Sequence, residues 1–329
     1  MSNNITERVI DIFKNNIVGQ KQAKEKILKT VKRIKYGLTL KDNKPIATTF
    51  LCGPTGVGKT YIVQCLALAM HDNKNFYLKI DCGSIQADHE IARLIGAPPG
   101  YIGHRETQPL ITKEKINSNR SEYCNVSIIL FDEFEKATPR LQDLLLSVMD
   151  TGSLQLGDGT TVHFDDVWIF LTSNLGSVEA TRKKIGFTQT DSYNHYFAAL
   201  KKWAKPEFIG RLTDIIVFDP LTTKNFYDII ELFVKKLNNK WNMSIKITEE
   251  AKKQILIQSK KTIALYGARK LEQYILELLG DLIADYFERL DRNFENRNFV
   301  RNRSVVIDWR DDKFFIQSKR SFDEMYTSA

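Results

Sequence analysis

The sequence predicts an α/β fold built on a largely parallel five-stranded sheet, followed by a smaller, mostly helical unit that ends in a short hairpin. Three observations predict it. Short apolar runs recur through residues 1–219 with helical segments between most of them, and such alternation marks a parallel sheet. The string GPTGVGKT at 53–60 sits between an apolar run, 48–52, and an apolar-periodic segment, 61–70. That is the strand, loop and helix a phosphate-binding loop requires. After Asp219-Pro220 the pattern changes to long helical stretches, so the domains are expected at 1–219 and 220–329, each of ordinary size.

Along the chain, residues 21–38 place Ala23, Ile27, Val31 and Ile34 on one helical stripe. The strands expected after the first one are 76–82, 126–131, 167–172 and 215–218. Residues 222–239, 248–258 and 268–290 read as helices. Val305 to Trp309 and Lys313 to Ile316, joined by Arg310-Asp311-Asp312, read as the hairpin. Neither an internal repeat nor a low-complexity linker is visible.

Composition bounds the possibilities. A chain of 329 residues with 43% hydrophobic and 27% charged residues is ordinary for a globular protein. No apolar run approaches the roughly 20 residues that span a bilayer, and the first residues, MSNNITERVIDIFKNN, carry acids and no long apolar core. A cytoplasmic protein without membrane contact is expected. Cys52, Cys65, Cys82 and Cys124 fit no zinc spacing and are expected as buried thiols. The net charge of +8 raises the question of nucleic acid. Its basic residues are interleaved with acids, as on a solvated surface, so nucleic acid is not the expected partner.

The chemistry-bearing residues fall at strand ends, where ligands of such sheets bind. Gly53, Pro54, Thr55, Gly56, Val57 and Gly58 would curl their backbone N–H groups around a polyphosphate, aided by the positive end of the next helix. Lys59 would reach the β- and γ-phosphates, and the Thr60 hydroxyl would ligand Mg²⁺. The run Ser127 to Phe131 leads into Asp132-Glu133. Asp132 would hold the metal together with Thr60, and Glu133 would polarise the attacking water as general base. An acidic pair capping a helix from Glu135 is the plain alternative. Asn174, at the end of the fourth run, would hold the same water if its strand neighbours that of Glu133; a turn or helix-cap asparagine fits its spacing equally.

Several strings together resemble one family: VGQ at 18–20, GPTGVGKT at 53–60, GAPPGYIG at 96–103, LFDEFEKA at 130–137, LTSNLGS at 171–177, KPEFIGR at 205–211 and YGAR at 266–269. The chain resembles the Clp-type AAA+ ATPases, in particular the second ATPase module of the ring-forming unfoldases and disaggregases. The resemblance runs from about residue 5 to 316. It implies an AAA+ large domain and its small C-terminal partner, ATP and Mg²⁺ as ligands, and ATP hydrolysis at the subunit interfaces of a homo-oligomeric ring, a hexamer, that threads polypeptide through a central pore. It implies that Arg211 is an arginine finger acting on a neighbour's γ-phosphate, that Arg269 is the second sensor on the small domain, and that Ile17, Val18 and Gly19 pack near the adenine. Tyr101 resembles the aromatic of the first pore loop; a buried aromatic anchor is the alternative.

Lys184-Ile185-Gly186-Phe187 is similar to the loop by which some members dock onto a barrel-shaped peptidase, although an ordinary loop packing its own Phe187 would read alike. That loop, and no recognised substrate-recruiting domain, motivate a second expectation: a regulatory subunit of a peptidase or defence complex in which nucleotide mainly controls assembly. The chain departs from the family at GYIGHRETQPL, which lacks the usual paired glycines and carries His104 where Tyr is common, and at Gly210, where Asn is usual.

Overall fold

Burial on both faces fixes the place of each strand in the sheet. The computed structural model describes residues 4–39, 43–97, 109–177, 189–290 and 304–317. β1 (Ala47–Cys52) is buried at every position, β2 (Leu78–Asp81) at only one, and β3 (Ser127–Asp132) at all but its last. A small antiparallel hairpin, β4 (Ser153–Gln155) and β5 (Thr161–His163), precedes β6 (Val167–Ser173), which is again wholly buried. β7 (Asp214–Val217) is half covered. The sheet order is β2-β3-β6-β1-β7, with every neighbouring pair parallel. The three inner strands are therefore the near-continuous apolar runs, as strands covered by helices on both faces must be.

Helices α1 (Ile5–Asn16), α2 (Lys21–Lys35) and α3 (Lys59–His71) lie on the N-terminal side of the sequence, and α6 (Pro139–Thr151) follows the short α4 (Ala92–Ile95) and α5 (Lys113–Asn117). The stripe foreseen on α2 is real, with Ala23, Ile27 and Val31 buried. Trp168 is fully buried in β6 and donates its indole N–H to Thr49 Oγ1 at 2.9 Å, which satisfies its one polar atom. The strand expected at 76–82 is shorter because β2, an edge strand, pairs only from Leu78↔Ile129 to Asp81↔Asp132 before Cys82 turns away. All four cysteines are free and buried.

Contacts divide the chain into two compact units, Met1–Pro220 and Leu221–Ala329. In the second, Thr222 and Thr248 cap helices Thr223–Trp241 and Glu249–Tyr266, and a third helix runs over Ala268–Leu290. The hairpin is part of a three-stranded sheet: β9 (Ser304–Arg310) pairs antiparallel with β10 (Lys313–Gln317) and parallel with β8 (Ser244–Ile247). Asp311 and Asp312 both take left-handed φ, +52° and +59°, as a tight hairpin turn with matched twist requires. Among the described residues no helix is long and apolar enough to cross a membrane.

Candidate functional site

Three adjacent strands deliver their carboxyl ends to one place. β1 ends at Cys52 and passes into the 53–58 loop, β3 ends at Asp132, and β6, between them, ends at Ser173. The loop begins at a tight point. Gly53 has φ +148°, and a Cβ there would stand 2.7 Å from Phe218 O and 2.9 Å from Phe218 Cβ. Gly58, at φ +102°, faces open space, so its left-handed conformation rather than crowding favours glycine.

Lys59 is 8% exposed. Its ammonium spends all three protons, on Gly53 O (2.7 Å), Pro54 O (2.7 Å) and Asn174 Oδ1 (2.9 Å). Burial pushes its pKa down to about 8, against the opposing pull of Glu135, Asp132 and Glu133. Beside it, Thr60 Oγ1 donates to Asp132 Oδ1 at 3.0 Å. Thr172 Oγ1 donates to the same oxygen at 2.5 Å and accepts the Glu133 N–H at 3.1 Å. Lys79 Nζ reaches Asp132 Oδ2 at 2.7 Å. Burial raises the Asp132 pKa, but these hydrogen bonds and the Lys79 charge outweigh it, and the carboxyl is held below its ordinary value.

Glu133 takes φ +57° and ψ +46°, a left-handed conformation for a residue with a side chain. Such a conformation costs on the order of 1–2 kcal/mol and needs its surroundings to impose it. The Thr172 hydrogen bond to its N–H does so on one side. On the other, fully buried Phe134 stacks on Phe208 at 5.6 Å and meets Trp203 edge-on at 5.5 Å. The Glu133 carboxylate is half exposed and pairs with Lys136 at 2.6 Å.

Asn174 does stand beside the Glu133 strand, because β3 and β6 are neighbours with Phe131 opposite Leu171. Gly19 turns the chain at φ +63° and Gln20 follows in the left-handed region. Gln20 then bridges two segments: its Nε2 donates to Asp219 O at 2.9 Å and its Oε1 accepts Asp219 N–H at 3.1 Å, with Val57 O at 3.4 Å from Nε2. The 17–19 segment is thereby set against the phosphate-loop region.

Arg211 is not brought to this place. It pairs with Asp150 at the end of α6 and donates to Glu207 O at 3.3 Å. It lines a hollow with Thr48, Asp150 and Thr213, near the start of β1, where Thr213 N–H bonds Thr48 O. About 13 Å of strand separates Thr48 from Cys52. Arg269 is the second residue of the long third helix of the second unit. Tyr101 and the residues Ile185, Gly186 and Phe187 lie outside the described residues. The stems around 98–108 are described: Leu110 N–H bonds Arg93 O and Ile111 N–H bonds Leu94 O, at 2.9 and 3.0 Å. Gly157, in the β4–β5 turn, packs on the same base with its N–H on Ile95 O at 2.7 Å.

The donors fit Mg²⁺ with a nucleotide. A hydroxyl and a carboxylate are hard oxygen ligands. Among the described residues no group of three or more His, Cys, Asp or Glu could hold a metal alone, so the remaining ligands would be phosphate and water oxygens.

The model of the AAA domain (Cdc48 subfamily) matches residues 44–215. This chain belongs to the AAA domain family. The model of the C-terminal D2-small domain of ClpB matches residues 221–298, so the AAA domain is followed by a small domain of the Clp type. Chaperone protein ClpB of Aquifex aeolicus (strain VF5) is 33% identical over 325 residues, covering 95% of this chain and 30% of that protein. ClpB of Clostridium tetani (strain Massachusetts / E88) is 37% identical over 283 residues, 84% of this chain and 31% of that one. The ATP-dependent Clp protease ATP-binding subunit ClpC of Staphylococcus aureus (strain USA300) is 36% identical over 310 residues, 91% and 36% of the two chains. The chain thus spans about a third of the length of these relatives. A cryo-EM reconstruction of Hsp104 in a closed state, with ATPγS and FITC casein, has the same fold: TM-score 0.79 at 22% identity, covering 96% of this AAA chain and 52% of that one.

Sequence reasoning gave no role to Thr172, Lys79 or Glu135. Glu135 and Thr172 lie inside the strings LFDEFEKA and LTSNLGS, but no string shows what they touch, because those partners are set by which strands are neighbours and by their register.

Proposed function

We propose that the chain is an ATP-hydrolysing motor module of the Clp type, working at the subunit interfaces of a homohexameric ring and threading polypeptide through its pore. The observation that carries this reading is the convergence of Lys59, Thr60, Asp132, Glu133 and Asn174 at three neighbouring strand ends, with Arg211 at the far end of β1. So placed, Arg211 would serve a neighbour's site rather than its own.

Residues 53–58 and Lys59 would hold the β- and γ-phosphates of ATP, and Val18 and Gly19 the adenine. Thr60 and Asp132 would hold Mg²⁺. Bound there, the cation neutralises charge that develops on the phosphate oxygens. Glu133 would take a proton from the attacking water, and Asn174 would orient that water. Arg211 of the adjacent copy would fork onto the γ-phosphate oxygens, and Arg269 would report the nucleotide state through the small domain.

Tyr101 would grip the threaded polypeptide, and the pinned stems at Leu110 and Ile111 would transmit movement to it. A peptidase ring is proposed as partner through Ile185, Gly186 and Phe187; the similarity to ClpC, the ATP-binding subunit of a Clp protease, supports it. A cytoplasmic setting is proposed because four free, buried thiols suit a reducing compartment.

The test is Glu133→Gln. It should retain ATP binding and lose turnover by at least about a hundredfold; turnover at the wild-type rate would overturn the base assignment. Tyr101→Ala should hydrolyse ATP yet fail to translocate polypeptide, and Phe187→Ala should lose the peptidase in a pull-down if that loop docks it.

A further inference from the structure

The turn after β3 carries a second acid whose side chain is directed at Asn174 rather than at solvent. Glu135 Oε1 accepts both the backbone N–H of Asn174, at 3.0 Å, and its side-chain Nδ2, at 3.2 Å. The other oxygen, Oε2, is buried without a hydrogen-bond partner. With Nδ2 so engaged, Asn174 Oδ1 faces Lys59 Nζ at 2.9 Å and Thr55 Oγ1 at 3.4 Å.

We propose that Glu135 is a positioning residue: it fixes which end of the Asn174 amide faces the phosphate loop. An amide has one accepting and one donating end of nearly equal shape. A carboxylate only accepts, so it selects the donating end and leaves the carbonyl oxygen for Lys59. Flipped, Asn174 would set an NH₂ group against an ammonium, donor against donor. Glu135 is itself held by its neighbour Phe134, which is fully buried between Trp203 and Phe208. The acid therefore acts through Asn174 without touching substrate. This inference rests on the reading of Asn174 and Lys59 as parts of a nucleotide site.

The experiment compares the full chain with Glu135→Ala, Glu135→Gln, Asn174→Ala and the Glu135→Ala/Asn174→Ala pair. In the nucleotide-free protein, the side-chain NH₂ resonances identified by their loss in Asn174→Ala should shift in Glu135→Ala and stay near their wild-type positions in Glu135→Gln, which keeps an accepting oxygen. For ATP turnover, Glu135→Ala should lower kcat by about tenfold or more with KM changed less than about threefold, and Glu135→Gln should restore most of it. Adding Glu135→Ala to Asn174→Ala should cost nothing further. An undiminished loss in that background, or Gln as damaging as Ala, would overturn the proposal, since either marks a role independent of Asn174. ADP binding by the wild-type chain separates the two levels: its absence would remove the nucleotide-site reading and this inference together, whereas binding with additive variants removes only this one.

Discussion

Replacing Thr172 by Val tests the centre of the site with a change of almost no volume. Thr172 is 2% exposed and bridges consecutive acids, giving its proton to Asp132 Oδ1 at 2.5 Å and accepting the Glu133 N–H at 3.1 Å. Val fills the same space, so no cavity term enters. What is lost is a hydrogen bond to a carboxylate, about 1.5–3 kcal/mol, and a partner for a backbone N–H, about 1–3 kcal/mol if it stays unpaired. Allowing for partial relaxation, about 3–4 kcal/mol should disappear from the large unit. Thr172→Ser keeps both hydrogen bonds and loses one methyl group, about 1 kcal/mol. Val should therefore be less stable than Ser by about 2–3 kcal/mol, the hydroxyl loss less the methyl loss. Denaturant unfolding read by tryptophan fluorescence measures it, with nucleotide binding as a second probe because a chain of two units need not unfold in one step. The same loss removes one of the three side chains that orient Asp132, beside Thr60 and Lys79, so the Mg²⁺ concentration for half-maximal ATP turnover should rise about tenfold in the Val variant and little in Ser. If Val and Ser match in both stability and Mg²⁺ dependence, the bridge has no role and the reasoning fails.

Two further outcomes follow from the geometry. Burial holds Lys59 at about 8 in the free chain, whereas phosphate oxygens favour its charged form. Binding therefore takes up a proton above that pH, so ADP affinity should be level below about pH 8 and fall by up to about tenfold per pH unit above it; affinity that stays flat to pH 9.5 in an equilibrium titration would contradict this. Gly53→Ala, whose Cβ would lie 2.7 Å from Phe218 O at φ +148°, should cost about 2–4 kcal/mol and abolish tight nucleotide binding, while Gly58→Ala, facing open space, should lose only the left-handed penalty of about 1–2 kcal/mol; equal thermal shifts for the two would refute the crowding argument.

The parts legible in the sequence were those written locally. A glycine-rich loop between an apolar run and a helix signals itself, and inner strands buried on both faces read as apolar runs. The placement of Asn174 depended on which strands are neighbours, and only the order β3-β6-β1 supplies that. Thr172 looked like an ordinary strand residue, and Lys79 like an edge-strand surface charge; the register Lys79↔Leu130, two residues short of Asp81↔Asp132, puts its ammonium on the Asp132 carboxylate. β8 was missed because four residues, Ser244–Ile247, with one buried, give too short an alternation to separate from a loop. It exists because β9 pairs with it across some sixty residues of chain. The β4–β5 hairpin has three residues per strand and was missed for the same reason.

The central claim is that one catalytic centre is assembled from two copies, and subunit mixing tests it most directly. Glu133→Gln and Arg211→Ala should each be nearly inert alone. Mixed in equal amounts under assembly conditions, about a quarter of the interfaces would join an intact Glu133 to an intact Arg211, and ATPase activity should reappear at a comparable fraction of wild type. No recovery between two folded, co-assembled variants, or full activity of Arg211→Ala alone, would contradict a shared site.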